Sequence, residues 1–272
     1  MKSGAIALAL VASSALWTLP AIAQEKVVLD GSTGMLGLAM ALASAYRQQF
    51  PEAQIEVGTG LGTGARLQAL AEGKIQIALA SHGVGAQDVR AGDLRVFEAA
   101  RGAIVFAVHE TVSITTVSEQ QACDVYGGTI RTWRPLGGGE SPVTVLTRPP
   151  TEVDPEVIRA KIGCFKDLKE TGAARVMARG GDMAKALAET PNAIGMTSMT
   201  VVEQSGGKVR ALALNGVAPT IENVKSGRYV LTRDYLFVVK GDPAGATKKF
   251  LAFLLGPDGD RVILANGAVP LR

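Results

Sequence analysis

Several residue types that mark common functional classes are scarce in this 272-residue chain. It has only two cysteines and two histidines, and aromatic residues make up 5% of it. Two cysteines exclude a disulfide-dense scaffold, and His82 and His109 have no metal-binding spacing, so we expect no metal site. The low aromatic content argues against a carbohydrate receptor, because such receptors lay sugars against aromatic rings.

The chain also has little excess charge of either sign. It contains 28 Lys and Arg against 25 Asp and Glu, a formal net charge of +3. A surface that binds nucleic acid shows Lys and Arg clustered on one face. We therefore expect no nucleic-acid partner, and any anion that binds must be small and held locally.

Motifs of the common enzyme classes are missing as well. The chain has no G-x-S-x-G nucleophile elbow. The stretch GTGLGTG at residues 58–64 alternates its glycines and lacks the G-x-G-x-x-G order of a dinucleotide site. Ser81 and His82 could be imagined as a nucleophile and its base. They are adjacent, however, and neighbouring residues on a strand point to opposite faces, which argues against that pairing. We predict that the protein is not an enzyme and carries no cofactor.

The N-terminal residues are typical of a secretory signal peptide. Lys2 gives a positive start, Ala5–Leu16 an apolar run, and Ala21–Ala23 a small-x-small cleavage pattern. The apolar run is too short to span a membrane. We predict that residues 1–23 are removed and that the mature protein is soluble and periplasmic; an N-terminal core helix is the alternative.

An oxidising compartment gives the two cysteines a structural use. Cys123 and Cys164 can form a disulfide there. Two unpaired buried thiols are the alternative, and we favour the disulfide.

Strand and helix patterns alternate along the chain. Short apolar or alternating runs predict strands, and apolar residues three and four apart predict helices. Strands are predicted at residues 26–30, 54–57, 75–80, 104–108, 143–146, 193–196, 209–214 and 229–239, and helices at 35–50, 65–72, 118–126, 154–162, 182–189, 247–255 and 258–265. This alternation predicts an α/β fold with a largely parallel sheet, in two similar halves between which the chain crosses twice.

Three predicted strands end in clusters of Gly, Ser and Thr at the start of helices. The clusters are Gly31–Gly34, Gly62–Gly64 and Ser81–Gly83. Ligands of open α/β sheets bind at the carboxyl ends of strands, and helix N-termini bind anions through unpaired N–H groups. An ordinary turn explains any one cluster, whereas three in succession favour a shared anion site.

Arg148 is the best cationic candidate for that site. It follows a predicted strand, and a guanidinium clasps an oxyanion through two parallel hydrogen bonds. We include Thr151, three residues later, among the candidate ligand-binding residues. A solvated arginine beside a Pro-Pro turn is the alternative. Asp154 and Pro155 predict the next helix, as its N-cap and first helical residue.

From Val28 to Leu271 the chain resembles the periplasmic phosphate-binding proteins of ABC transporters, within the type 2 periplasmic-binding-protein superfamily. The order of the matching segments over nearly the whole chain carries the resemblance. These segments are LDGSTGMLGLAMALASAYRQQFP, GTGLGTGARLQALAEGKIQIALAS, YGGTIRTWRPLGG, VTVLTRPP, NVKSGRYVLTRDYLFVV and FLAFLLGPDGDRVILANGAVPL.

The resemblance implies two α/β lobes, each a mixed, mostly parallel sheet flanked by helices, joined by a hinge of two crossovers. Lobe 1 would comprise residues 24–107 and 228–272, and lobe 2 residues 108–227. The lobes would close on an oxyanion. The implied contacts are Ser32, Thr33, Gly62, Thr63, Gly64, Ser81 and Arg148.

Two positions depart from the family pattern. The family commonly has an Asp after the Ala-Ser of the third loop, where this chain has His82. A neutral imidazole accepts one hydrogen bond whereas an imidazolium only donates, so His82 stays in the candidate set. The family also has Ser-Gly-Thr shortly after the arginine, where this chain has Pro149-Pro150-Thr151.

The resulting hypothesis is an exported, monomeric solute-binding protein that captures phosphate or a phosphate-like oxyanion for an ABC importer. Its closed form would dock on the membrane permease. Two alternatives stay open: a sensory accessory protein of the same fold that presents ligand to a histidine kinase or chemoreceptor, and a scaffold or adhesion protein with a degenerate site.

Overall fold

The computed structural model describes residues 25–81 and 84–271. The predicted signal peptide lies outside these residues. Within them, no helix combines the length and the apolar character needed to cross a membrane.

The first part of the chain alternates strands with helices, as the sequence predicts. Its elements are β1 (Val27–Gly31), α1 (Leu36–Gln49), β2 (Ile55–Val57), α2 (Gly62–Ala71), β3 (Ile77–Ala80), α3 (Ala86–Ala91) and β4 (Leu94–His109). A short 3-10 turn, Thr33–Met35, links β1 to α1.

The middle of the chain has shorter strands and two further 3-10 turns. Its elements are β5 (Thr116–Val117), α4 (Glu119–Gly127), β6 (Thr144–Thr147), α5 (Val153–Lys161), β7 (Arg175–Val176), α6 (Gly180–Glu189), β8 (Ala193–Ser198), α7 (Met199–Gln204), β9 (Val209–Ala211), β10 (Ala213–Leu214) and α8 (Ile221–Lys225). The chain ends with β11 (Thr232–Lys240), α9 (Gly245–Leu254), α10 (Pro257–Ala265) and β12 (Ala268–Pro270).

One mixed sheet runs through the protein in the order β2-β1-β3-β11-β4-β8-β6-β7. β2, β1 and β3 pair in parallel, as do β7, β6 and β8. β11 and β4 are antiparallel to their neighbours and connect the two parallel groups. The α/β class predicted from the sequence is confirmed.

Three hydrophobic clusters of described residues lie along this sheet. Two of them include residues of β3 and β11, and we call the region around these two lobe 1 and the region around the third lobe 2. The core of lobe 1 includes Leu29, Leu42 and Phe250, and that of lobe 2 includes Phe106 and Ile194. The two-lobed architecture is confirmed, whereas the lobe boundaries given above stay a prediction.

Two neighbouring segments carry the chain between the lobes. β4 makes the first crossing, and residues 229–231 return beside it. The Ile104 N–H donates to the Leu231 carbonyl at 2.8 Å, and the Tyr229 hydroxyl donates to the Ile104 carbonyl at 2.9 Å. Burial raises the pKa of Tyr229, so this hydroxyl keeps its proton and its hydrogen bond at neutral pH.

Lobe 2 contains a disulfide between Cys123 of α4 and Cys164 of the 3-10 turn Gly163–Phe165. Their Cα atoms are 6.2 Å apart, and 41 residues separate them in the sequence. The disulfide holds α4 against the segment that follows α5.

The predicted start of α4 has the expected capping. The Ser118 hydroxyl accepts from the Gln121 N–H at 3.1 Å, and the Gln121 side chain accepts from the Ser118 N–H at 2.8 Å. This reciprocal capping box satisfies two N–H groups at the helix start.

Several predictions are wrong in detail: α3, α7 and α8 were not predicted, and the strand predicted at residues 209–214 is two strands, β9 and β10. α5 begins at Val153 with Glu152 as its N-cap residue, so Asp154 lies inside the helix. β4 begins at Leu94 rather than at residue 104. Gly102 interrupts the apolar pattern of this strand because the Tyr235 ring lies where a side chain would stand.

Candidate anion-binding cleft

Three loops of lobe 1 begin at the same edge of the sheet, where the strands before them end. β2, β1 and β3 are parallel neighbours, and Gly31 at the end of β1 pairs with Leu79 of β3. The loops that follow these strands therefore lie side by side. They contain the Gly, Ser and Thr clusters singled out in the sequence, of which residues 82 and 83 lie outside the described residues.

Asp30 fastens two of these loops together. Its carboxylate accepts from the Gly60 N–H at 2.8 Å and from the Leu61 N–H at 3.1 Å. A side chain at Gly58 would collide with this carboxylate, so the close approach requires glycine there. Asp30 thereby fixes the position at which α2 begins.

The start of α2 presents main-chain N–H groups. Gly62 opens the helix with a φ of +77°, a left-handed conformation that glycine adopts without strain. The first N–H groups of any helix lack an intrahelical partner. Residues 63 and 64 belong to this first turn, and their side chains lie outside the described part of the protein.

Thr33 contacts lobe 2 directly. Its hydroxyl accepts from Arg148 Nη2 at 3.1 Å and from the Gly180 N–H at 3.4 Å, and it donates to Glu152 at 3.4 Å. This uses the one donor and both acceptor sites of a hydroxyl. The neighbouring Ser32 is also buried, and its N–H donates to the Leu79 carbonyl at 2.9 Å.

Arg148 is the central cation of the cleft, by which we mean the space between the lobes around Thr33 and Arg148. It follows β6 and is only 2% exposed. Nη2 donates to Glu152 and Thr33, whereas Nε and Nη1 have no hydrogen-bond partner among the described residues. A buried donor left unsatisfied costs about 1–3 kcal/mol, and more when charged. These two nitrogens, with three N–H groups between them, are therefore strong candidates for ligand binding.

The other predicted ligand residues differ in their surroundings. The Ser81 hydroxyl, just after β3, is buried and has no partner within the described chain. Thr151 is exposed. His82 lies outside the described residues.

Two carboxylates of α5 face the cleft, and the sequence analysis did not select either. Glu152 forms an ion pair with Arg148. Asp154 forms one with Arg233 of β11, and both of these side chains are buried. Acids at a helix start are common caps, so the segment TEVDPE gave no signal beyond that of an ordinary helix. A carboxylate four residues after a candidate anion-binding arginine is the signal that could have revealed Glu152.

Arg179 adds a further contact between the lobes. It precedes α6, and its guanidinium donates to the carbonyls of Thr59 and Gly60, the latter at 3.1 Å. At Gly180 a side chain would press against the Thr33 carbonyl, so the start of α6 packs directly on the 3-10 turn of lobe 1. The lobes therefore meet through polar groups on both sides.

A cavity of about 160 Å³ adjoins these groups. Its lining includes Thr33, Asp154, Ser198 and Arg233.

Another arginine of lobe 1, Arg66 of α2, is fully buried. Burial lowers the pKa of Arg66, and the carboxylate of Asp88 partly offsets that effect. No group of His, Cys, Asp and Glu in residues 25–81 and 84–271 has an arrangement that could hold a metal ion.

The architecture has close counterparts among known proteins. Residues 19–258 match the profile of a PBP superfamily domain. The chain is 28% identical over 254 residues to the phosphate-binding protein PstS of Bacillus subtilis, which covers 92% of this chain and 82% of that protein.

Two solved structures share the fold at 26% sequence identity. One, from Clostridium perfringens, is described as a phosphate ABC transporter substrate-binding protein with bound phosphate; its TM-score is 0.76, over 91% of this chain and 100% of that one. The other is an ABC-type phosphate transport receptor from Vibrio cholerae, with a TM-score of 0.62 over 90% of this chain and 99% of that one. The family profile spans most of the sequence, and the two-lobed fold agrees with it, so this chain belongs to the PBP superfamily.

Proposed function

We propose that this protein binds phosphate in the cleft between its lobes and delivers it to an ABC importer. The observation that carries the proposal is Arg148, a buried guanidinium with two nitrogens, Nε and Nη1, unpaired among the described residues. It contacts Thr33, at the sheet edge where the loops of lobe 1 begin. The names of the relatives support the ligand, since the PstS protein of Bacillus subtilis is a phosphate-binding protein.

The chemistry of the cleft suits a small oxyanion. Among the described residues, Arg148 has free N–H groups at Nη1 and at Nε, on two different edges of its guanidinium, and either edge can donate a charge-assisted hydrogen bond to an oxygen of a tetrahedral anion. The Ser81 hydroxyl and the first turn of α2 supply further donors from the other lobe. These groups would replace the water shell of the anion, and no bond is made or broken.

Closure of the cleft would couple binding to delivery. A ligand shifts a protein toward the state that it contacts more extensively. An anion held by Arg148 and by the loops of lobe 1 touches both lobes only when they are closed. The closed form would then be the one that a membrane permease recognises.

The N-terminal sequence supports export of this protein. The apolar run and the Ala-x-Ala pattern before Gln24 are those of a cleaved signal peptide. The mature protein would act as a monomer in the periplasm, where it meets both phosphate and the permease.

Isothermal titration of the mature protein with phosphate tests this function. We expect a dissociation constant in the micromolar range, about 8 kcal/mol of binding free energy. Arg148→Ala should weaken binding by about tenfold or more, because a charge-assisted hydrogen bond contributes about 1.5–3 kcal/mol. Arg131→Ala is the matched control, since Arg131 is an exposed arginine of the same lobe.

Two results would contradict the proposal. One is a wild-type protein that binds no phosphate at millimolar concentration. The other is an Arg148→Ala variant whose affinity equals that of Arg131→Ala.

A further inference from the structure

The ligand-binding arginine already has an anionic partner within the protein. Glu152 forms an ion pair with Arg148 and also accepts from the Thr33 hydroxyl at 3.4 Å. Its side chain is 24% exposed, whereas that of Arg148 is 1% exposed. The positive charge that would attract an oxyanion is therefore largely balanced before any ligand arrives.

A second buried arginine near Thr33 is balanced in the same way. Arg233 is paired with Asp154, and both are buried. Asp154 and Glu156 lie in the first turn of α5, where acids offset the positive end of the helix dipole. Arg179 donates to main-chain carbonyls and lies near the rim of the cleft. The buried ion pairs around Thr33 thus sum to no net charge.

We propose that Glu152 makes this cleft selective for singly charged tetrahedral oxyanions over doubly charged ones. The inference rests on the proposed function, because it assumes that the anion binds at Arg148. Phosphate would then be taken up as its dihydrogen form.

The physical reason is the cost of the second charge. An anion on Nη1 or on Nε of Arg148 shares the guanidinium with the Glu152 carboxylate, which is bound at Nη2. Each unit of ligand charge is attracted by Arg148 and repelled, from a longer distance, by Glu152, so the repulsion cancels part of the attraction. Binding also removes the water shell of the anion, and the free-energy cost of that dehydration is larger for a dianion than for a monoanion. A weakened net attraction therefore offsets less of the cost for the dianion.

Perrhenate and tungstate test charge separately from shape. Both are tetrahedral anions of nearly equal size, and at mildly alkaline pH neither carries a proton. Perrhenate has one negative charge and tungstate has two. Titration of wild type and Glu152→Gln with each gives the ratio of the two dissociation constants.

The variants distinguish the effect of the Glu152 charge beside Arg148 from the effect of removing any acid near the start of α5. Glu152→Gln keeps the side-chain shape and removes the charge, and Glu152→Ala checks that the glutamine oxygen does not replace it. Glu156→Gln removes the same charge from an exposed position one turn further along α5. Thermal unfolding of every variant establishes that it is folded.

We expect wild type to prefer perrhenate, and both Glu152 variants to shift the affinity ratio toward tungstate by about tenfold or more, which is about 1.4 kcal/mol. Glu156→Gln should shift it by less than about threefold. An unchanged ratio in the Glu152 variants, or an equal shift in Glu156→Gln, would overturn this inference and leave phosphate binding intact. A wild-type protein that binds neither anion and no phosphate would overturn the proposed function with it.

Discussion

The side of the cleft formed by lobe 1 offers main-chain N–H groups and hydroxyls, whereas the side formed by lobe 2 offers long charged side chains. In lobe 1, Thr33 and Ser81 lie at strand ends, and Asp30 is turned inward to hold a loop. In lobe 2, Arg148 and Glu152 lie around the start of α5. One side is fixed by backbone geometry and the other by ion pairing.

Because of this difference, we expect the affinity for an anion and the selectivity for its charge to depend on different lobes. Main-chain donors are held by the sheet and, under the proposed function, would bind any compact oxyanion of the right size. The charge of the site depends on side chains of lobe 2, which single substitutions can change without moving the backbone. We infer that lobe 1 recognises the shape of the ligand and that lobe 2 sets its charge.

The buried ion pair Asp154–Arg233 should show the largest effect on stability. Asp154→Asn leaves a buried guanidinium without its charged partner, which costs about 3–5 kcal/mol. Urea unfolding monitored by circular dichroism measures the loss. Asp182→Asn is the control, because it removes an exposed acid from the first turn of α6.

A double variant sharpens this prediction. Replacing both partners with apolar residues of similar size, as in Asp154→Leu with Arg233→Met, should recover most of the loss, because no buried charge is then unpaired. A loss below about 1 kcal/mol in Asp154→Asn would show that the pair is solvated and does not hold the lobes together.

The disulfide should stabilise lobe 2 and not lobe 1. Closing a loop of 41 residues contributes about 4 kcal/mol in the chain-entropy model. Replacing both Cys123 and Cys164 with Ala should lower the unfolding free energy of lobe 2 by about that amount. Hydrogen exchange resolved along the chain measures each lobe separately, and equal losses of protection in both lobes would contradict the prediction.

The hydroxyl of Thr33 should have the smallest of these effects. Thr33→Val removes the acceptor for Arg148 and Gly180 but keeps the side-chain shape. The Thr33 hydroxyl has no hydrogen bond left for a ligand, so the substitution acts through the position of Arg148. Phosphate affinity should fall about fivefold, which is about 1 kcal/mol. Thr129→Val, at an exposed position of lobe 2, should leave it unchanged. Equal affinities of the two variants would remove Thr33 from the site.

The same contrast explains what could be predicted from the sequence. The loops of lobe 1 follow strands with clear apolar patterns, so Ser32, Thr33 and Ser81 could be placed at one sheet edge. Their roles toward a ligand stay predictions, as do those of Gly62, Thr63, Gly64 and Thr151, and His82 lies outside the described residues.

The charged side of the cleft could not be predicted in the same way. Arg148 was selected by its residue type and its position after a strand. Glu152 was missed although it follows Arg148 by only four residues, because an acid at a helix start is a common cap. Asp154 and Arg233 were missed because they are 79 positions apart in the sequence. Local patterns also failed at β4, where a glycine interrupts a 16-residue strand.

A crystal soaked with perrhenate and measured at a rhenium absorption edge tests the central claim most directly. The account predicts an anomalous peak within hydrogen-bonding reach of the Arg148 guanidinium and the Ser81 hydroxyl, close to the start of α2. A peak elsewhere, or an occupied anion that touches only one lobe, would contradict it.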